Sequence, residues 1–347
     1  MKKLFALALL VALFAVAPVT VFAQDDMMMD CGEESSLLLY TSESEDDVNN
    51  MIAAFNEVCP DVTIEFFRSG SGEVVARIQA ELEAGELQAD MIWFADIDFF
   101  SQLADEDLLL SYRPATAAEA GVAEELHYND DQYHEVRQIF NVIAYNTTLV
   151  DEAPTSWKDL TDPQFAGMAA MPSALYSGAA FNQVGTLANA EDFGWEYYND
   201  LNENGIVVGQ GNGGIANGLA AGEFAIVQVV DFMVRERAAQ GSPVAHIWPE
   251  EGAVLIPTPV AILNSVVDTE REAGAKAFMD FLYTAPAQEL FVAQGYIPVA
   301  EGAPLPEGTP DIADLTIITV DVDYIGENRE DIRTTFAETF NVTGPEE

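Results

Sequence analysis

The sequence predicts an α/β protein of two lobes, and three observations lead there. A β-α-β unit stands near the start, with strands over 37–40 and 62–67 around a helix over 46–57. A second alternation of strands and helices runs from 168 to 230. The strands in both regions are short and almost continuously apolar, the pattern of a parallel sheet covered on both faces. Ser44 followed by Glu45, Asp46 and Asp47 marks a helix start with acidic residues in its first turn. A helix over 72–84 leads to a strand over 91–94 and a helix over 98–104. A strand over 137–145 follows, and Pro154-Thr155-Ser156-Trp157 turns into a short helix. The second region reads as strand 168–171, helices 178–188 and 193–203, strand 206–208, helix 215–221 and strand 224–230. An apolar run over 254–263, helices over 270–283 and 287–294, and a helix over 332–340 complete the chain. Two α/β lobes that exchange strands place a ligand cleft between them.

The 347 residues are 49% hydrophobic, enough for real cores and too many residues for one small domain. The formal charge is −46, from 13 basic and 59 acidic residues. Such a field suits a solvated acidic surface in saline water, where charges are screened within ~3 Å at 1 M salt. It repels nucleic acid and anionic lipid, so neither is expected as a partner.

Residues 1–23 read as an export signal: Lys2 and Lys3, an apolar stretch over 4–17, and Val21-Phe22-Ala23 before polar Gln24. The expectation is an exported chain, in the periplasm or at the extracellular face, with no Cys at the cleavage point to carry a lipid anchor. No later stretch has the ~20 apolar residues of a membrane span. An acidic, Met-rich segment over 24–35 reads as a flexible leader. Cys31 and Cys59 are the two cysteines, and in an exported protein an even pair suggests a disulfide, two free thiols being the alternative. Cys31 precedes the first strand and Cys59 the second. If those strands are parallel neighbours, both cysteines sit at the same end of the sheet.

Catalytic patterns are weak. Neither H-E-x-x-H nor G-x-S-x-G occurs. His127 and His134, in an acidic loop-like region, read as surface residues, with metal ligation the alternative. No cofactor, no metal and no enzymatic activity are expected. An exported hydrolase would need a nucleophile–base pair that the sequence does not show.

Binding signals are better. Ser69-Gly70-Ser71-Gly72 joins a strand end to a helix start, where small residues let a ligand approach the backbone and a helix N-terminus favours an anion. Ser173-Ala174-Leu175-Tyr176-Ser177-Gly178 repeats the arrangement in the second lobe. A plain capped turn is the competing account of both. Gly209-Gln210-Gly211-Asn212-Gly213-Gly214 contains G-x-G-x-x-G after a strand and before a helix. The dinucleotide reading suits an exported protein poorly, and the segment reads as a glycine-rich turn with N–H groups toward a cleft. Asp231 ends a strand, where a carboxylate either enters the cleft or caps a helix. Asp96 and Glu250-Glu251-Gly252 carry the same ambiguity.

Taken in order, the chain resembles the family 1 extracellular solute-binding proteins of ABC importers, in the branch associated with ferric iron, hexose phosphate and 2-aminoethylphosphonate. The resemblance is carried by Tyr145-Asn146-Thr147, Pro154 through Leu160, Pro172 through Ala180 and Gln210-Gly211-Asn212-Gly213-Gly214. Further on, it rests on Val230-Asp231-Phe232, Gly241-Ser242-Pro243-Val244, Pro249-Glu250-Glu251-Gly252, Gly295-Tyr296-Ile297-Pro298-Val299 and Asp323 through Glu330. It implies a type II periplasmic-binding fold, two α/β lobes joined by a two-strand hinge near 137–145 and 254–263. Lobe 1 would take 36–138 plus about 256–300, lobe 2 would take 139–255, and a helical segment over 301–347 would pack on the lobes. It further implies a monomer that closes over a small-molecule ligand and passes it to an ABC permease in the membrane. Ser42, Ser69, Gly70, Ser71, Ser173, Ser177, Gly178, Asn212 and Gly213 would hold an oxyanion or line the cleft beside Glu43 and Asp96. Asp231 and Glu251 would hold hydroxyls or an amine. Ferric-iron members use adjacent tyrosines where this chain has Val230-Asp231-Phe232, and their first loop often holds a histidine where this chain has Thr41-Ser42-Glu43-Ser44. A phosphorylated sugar or phosphonate is therefore favoured over iron. A polyamine at Asp96, Asp231, Glu250 and Glu251, and a sensory rather than transport role, are the remaining alternatives.

Overall fold

The structure is a computed structural model and describes residues 29–345. The expected export signal and the first part of the leader lie outside the described residues. The chain begins with β1 (Ser35–Thr41), α1 (Glu45–Asn56), β2 (Val62–Arg68), α2 (Ser71–Ala84), β3 (Met91–Trp93), α3 (Ile97–Asp105) and α4 (Ala115–Glu119). A small hairpin follows, β4 (His127–Tyr128) and β5 (Tyr133–His134). The chain then crosses into a second sheet through the long β6 (Arg137–Asn146). There it builds β7 (Ala169–Pro172), α5 (Gly178–Asn189), α6 (Gly194–Glu203), β8 (Val207–Gly209), α7 (Asn212–Ala221), β9 (Ile226–Val230), α8 (Asp231–Ala239), β10 (Val244–Ile247) and β11 (Ala253–Ile256). It returns through β12 (Val260–Ile262), α9 (Arg271–Phe281), α10 (Ala285–Ala293) and β13 (Ile297–Pro298). The tail adds β14 (Ile317–Thr319), α11 (Val322–Glu327) and α12 (Arg329–Phe340).

One sheet has the order β2-β1-β3-β12-β5-β4 and the other β14-β11-β6-β9-β7-β8, with β10 and β13 also paired to β6. β1 runs parallel to β2 and β3, while β12 enters antiparallel to β3 from the other end of the chain. The two sheets are the two lobes, and the chain passes between them at 135–136 and 257–259, and a third time ahead of β14. Each lobe has its own packed interior. Phe55 of α1 meets Phe278 and Phe281 of α9 at 5.2 and 5.6 Å, which closes one face of the first sheet. In the second lobe Trp157 is fully buried and donates Nε1–H to the Gly252 carbonyl at 2.9 Å. No described helix is long and apolar enough to cross a membrane.

Several expectations are corrected. The described part of the leader is not loose: Cys31 is disulfide-bonded to Cys59, and Ser35 already belongs to β1. The parallel register that pairs Ser35 with Val62 brings both cysteines to one end of the sheet. The tail is not purely helical, because β14 adds a parallel strand to β11. The region around His127 is not a loop but the β4–β5 hairpin, and His134 is 1% exposed rather than on the surface. Three positive-φ residues in a row, Asn129, Asp130 and Asp131, hid that hairpin, since the usual glycine turn signal is missing.

The crossings at 135–136 and 257–259 are tied together by buried charge. Thr258 N–H donates at 3.0 Å to both carboxylate oxygens of Glu135, whose carboxyl burial pushes up to about 8. Arg137, 1% exposed, is ion-paired with Glu43 and lies 3.8 Å from the Tyr296 ring centroid. Burial pushes the Glu43 carboxyl up, and the Arg137 guanidinium pulls it back. The disulfide closes a sequence separation of 28 residues, which in the chain-entropy model stabilises the fold by about 3.5 kcal/mol. The paired substitution Cys31→Ser with Cys59→Ser is expected to lower unfolding free energy by ~2–4 kcal/mol in denaturant melts. A loss under ~1 kcal/mol would mean that β1 and the leader hold without it.

Candidate functional site

A cleft of about 500 Å³ lies between the lobes. Its lining is built from loops at strand ends and from helix starts. Ser42, Glu43 and Ser44 follow β1, and Arg68, Ser69, Gly70 and Ser71 follow β2. Tyr176, Ser177 and Gly178 open α5, Gln210 through Gly214 open α7, and Val230 and Phe232 flank the start of α8. Ala95, Ile139 and Thr258 complete the wall near the hinge. The residues before five helices, Ser44, Gly70, Ser177, Gly211 and Val230, therefore all face one space. Each helix start carries roughly half a positive charge from unsatisfied N–H groups. The N–H groups of Ser71, Gly178, Ala179, Asn212, Gly213 and Gly214 make no hydrogen bond to the described residues. Ser177 Oγ accepts from Ala180 N–H at 3.2 Å and from Asn212 Nδ2 at 2.9 Å, which joins the α5 and α7 starts. The other end of that amide, Asn212 Oδ1, is shielded and has no partner among the described residues.

Arg68 brings a guanidinium to the cleft. Its Nε donates to the Glu43 carbonyl at 3.0 Å, and no ion pair ties it to a carboxylate among the described residues. Glu73 also lines the cleft, accepting from Ser69 Oγ and, at 3.2 Å, from Gly70 N–H. Among the described residues, the lining thus combines one guanidinium without an ion pair, two engaged carboxylates and several open N–H donors.

The structure brings together Ser42, Glu43, Ser69, Gly70, Ser71, Ser177, Gly178, Asn212 and Gly213. It does not bring the remaining four sequence-predicted residues into that lining. Asp231 is fully buried, accepting from Phe140 N–H at 3.0 Å and pairing with Arg235 one helical turn on. Asp96 caps α3 by accepting from Phe99 N–H at 3.4 Å and pairs with Arg329 of α12 at 2.6 Å. Glu251 accepts from Ser156 Oγ and from Trp157 N–H at 3.4 Å, fixing the turn in front of Trp157. Ser173 is buried and caps its own loop, accepting from Leu175 N–H at 3.2 Å. Sequence reasoning passed over Arg68, Glu73, Tyr176, Gln210, Phe232 and Thr258. Arg68 had a usable signal, a cation directly before Ser69-Gly70-Ser71 in a chain with few cations.

The lobes are closed on each other. Gly72 N–H of lobe 1 donates to the Tyr176 carbonyl of lobe 2 at 3.2 Å, and Asn182 Nδ2 donates back to the Ala95 carbonyl at 3.4 Å. The glycines at this seam leave no room for side chains. A Cβ on Gly178 would overlap the Ala95 carbonyl oxygen and stand 2.8 Å from Ser71 Oγ. A Cβ on Gly72 would overlap the Leu175 carbonyl oxygen. Gly178→Ala is expected to hold the lobes apart, raising the radius of gyration in solution scattering and weakening solute binding by roughly tenfold or more. Unchanged affinity would show that the seam is not part of closure. Asp231→Ala is expected to cost ~3–5 kcal/mol of stability, because it leaves Arg235 buried and unpaired, with little effect on affinity. A variant of wild-type stability with lost binding would return Asp231 to the ligand site.

The model of the bacterial extracellular solute-binding protein family matches residues 50–319. A Salmonella typhimurium protein, provisionally named a 2-aminoethylphosphonate-binding periplasmic protein, is 26% identical over 240 residues, 65% of this chain and 66% of that one. The periplasmic binding protein AfuA from Actinobacillus pleuropneumoniae, solved with fructose 6-phosphate, superposes with a TM-score of 0.76 at 22% identity, covering 89% of this chain and 99% of that one. Iron-bound HitA from Pseudomonas aeruginosa superposes at 0.74 with 20% identity, covering 88% and 99%. These neighbours share the type II periplasmic binding fold. With the family match spanning most of its length, the chain belongs to the bacterial extracellular solute-binding proteins.

Proposed function

We propose that this protein, the solute-binding component of an ABC importer, captures a small anion bearing a phosphoryl or phosphonyl group together with an amine or hydroxyls. The observation that carries the reading is the convergence of helix starts from both lobes, with Arg68, on one closed cleft. An oxyanion with several acceptor oxygens can use N–H donors from α2, α5 and α7 at once, so it holds the lobes together. Backbone donors do this without lysines, which suits a chain with so few. Glu73 lines the same space, so an ammonium on the ligand would find a carboxylate acceptor. The relatives named for 2-aminoethylphosphonate and fructose 6-phosphate fit the same chemistry. The net charge of −46 opposes an approaching dianion, but high salt screens it and the donors act only at contact.

The test is a thermal-shift screen of the full mature chain in 1 M salt. The panel is 2-aminoethylphosphonate, fructose 6-phosphate, glucose 6-phosphate, inorganic phosphate, Fe(III)-citrate and spermidine. A ligand at about 100 times its dissociation constant adds ~2.7 kcal/mol of stability. The expected outcome is a shift with a phosphonate or phosphate ester that Ser177→Asp abolishes, because a carboxylate then occupies the α5 start. A shift with Fe(III)-citrate alone, or with spermidine alone, overturns the reading.

A further inference from the structure

The β4–β5 hairpin takes no part in the cleft, yet it assembles a donor set of its own. His127 and His134 are directly opposed across the antiparallel pair, so both rings project from one face. Their Nδ1 atoms stand 2.8 Å apart. His134 Nε2 lies 3.0 Å from the Tyr112 carbonyl, and a carbonyl only accepts. That bond places the ring proton on Nε2 and leaves Nδ1 as a lone pair facing His127. A ring nitrogen anchored on a backbone carbonyl, with the other one pointing into a shared space, is the arrangement that orients histidine ligands in metal sites. The carboxylate of Asp131, in the turn of the same hairpin, brings an oxygen within 4.8 Å of one ring nitrogen of each histidine. Arg113 pairs with Asp131 Oδ1 at 2.8 Å. The turn is a left-handed run, Asn129, Asp130 and Asp131 having φ of 49°, 55° and 66°, built from the residue types that tolerate this region best after glycine.

We propose that His127, His134 and Asp131 bind one divalent transition-metal ion of the zinc class, through two imidazole Nδ1 atoms and one carboxylate oxygen. Two nitrogens and an oxygen suit Zn²⁺, Cu²⁺ or Ni²⁺, not the all-oxygen preference of Ca²⁺ or Mg²⁺. Tetrahedral coordination at 2.0–2.1 Å sets the nitrogens roughly 3.3 Å apart, so the rings need to separate by only about half an ångström. Asp131 is half-buried, which leaves the fourth position open to water. None of the three residues lines the cleft, so this ion is distinct from the solute and the proposal does not rest on the solute's identity. The site lies at the root of the hinge. His134 pairs with Val260 just after the return crossing, and Glu135 begins the outward one. An ion here would brace the lobe-1 end of both crossing segments.

The experiment is calorimetric titration of the chelator-stripped full mature chain with ZnCl₂ in 1 M NaCl, which screens loose uptake by surface carboxylates. Co²⁺ serves in parallel as a visible-absorption probe of four-coordinate geometry. One saturable ion per chain is expected. His127→Gln and Asp131→Asn, both at partly exposed positions, should each weaken it by roughly 10–100-fold while circular dichroism stays unchanged. Ser177→Asp, in the cleft, should leave it alone. No saturable uptake, or equal affinity in His127→Gln, overturns the site. Uptake lost in Ser177→Asp but kept in His127→Gln would assign the ion to the cleft and equally overturn it.

Discussion

The buried pair of Glu43 and Arg137 is the interaction on which the site depends. Arg137 begins β6, the strand that carries the chain out of lobe 1, and Glu43 stands in the first loop of the cleft. A guanidinium taken out of water is tolerable only with a charge partner and good packing, and removing one partner of such a pair costs ~3–5 kcal/mol. Here the partner is Glu43, and the faces of Tyr296 and Trp93 lie within 3.8 and 5.4 Å. The first cleft loop is thus anchored to the hinge. Glu43 meets the cleft with its charge already answered, so it repels an anion less than an unpaired carboxylate would. Tyr296 extends the same network, donating to Asp47 at 2.8 Å at the head of α1.

Charge economy explains how so acidic a chain could hold an anion. Most described cations are committed to carboxylates: Arg77 to Glu81, Arg113 to Asp131, Arg235 to Asp231, Arg271 to Asp90, Arg329 to Asp96 and Asp98, and Lys276 to Glu272. What remains for the cleft is Arg68 and the backbone. Helix N-termini are suited to this, because their positive ends cannot be neutralised by composition and act over only a turn. Salt screens the global field and leaves such short-range donors almost untouched.

Most of the architecture was legible because it is written in local, period-specific signals. The β-α-β unit, the apolar strand of the first hinge crossing and the cysteine pair all depend on residues near one another in sequence or on one sheet end. The loops that come to the cleft were also readable, since Ser69-Gly70-Ser71 and Ser177-Gly178 mark helix starts by residue type. The acidic residues were not readable, because where a carboxylate points depends on a distant partner. Asp96 turns inward toward Arg329, which is 233 residues away. Asp231 is the instructive exception: Arg235 stands four residues later, the spacing at which opposite charges meet on a helix. Weighing that pair would have placed the carboxylate in the core. The β4–β5 hairpin was missed because its turn uses Asn129, Asp130 and Asp131 in a conformation that glycine usually supplies.

The tail joins these threads. α11 packs on α3 of lobe 1 and on α5 of lobe 2, while α12 packs on α5 and α6. Arg329, at the head of α12, reaches across to Asp96 at 2.6 Å and Asp98 at 3.0 Å in lobe 1. The tail therefore rides on lobe 2 and grips lobe 1 beside Ala95, whose carbonyl meets Asn182 and sits over Gly178 at the seam. Opening the lobes would have to break this ion pair as well as the backbone contacts, so the tail weights the equilibrium toward closure even before a solute adds its own bonds. A receptor gains affinity when its binding-competent state is already populated, and it loses the contrast between empty and loaded states that a permease could read. Asp96 and Asp98 are both held by a single guanidinium, so Arg329 adds to the seam's backbone contacts a charged tie that does not line the cleft.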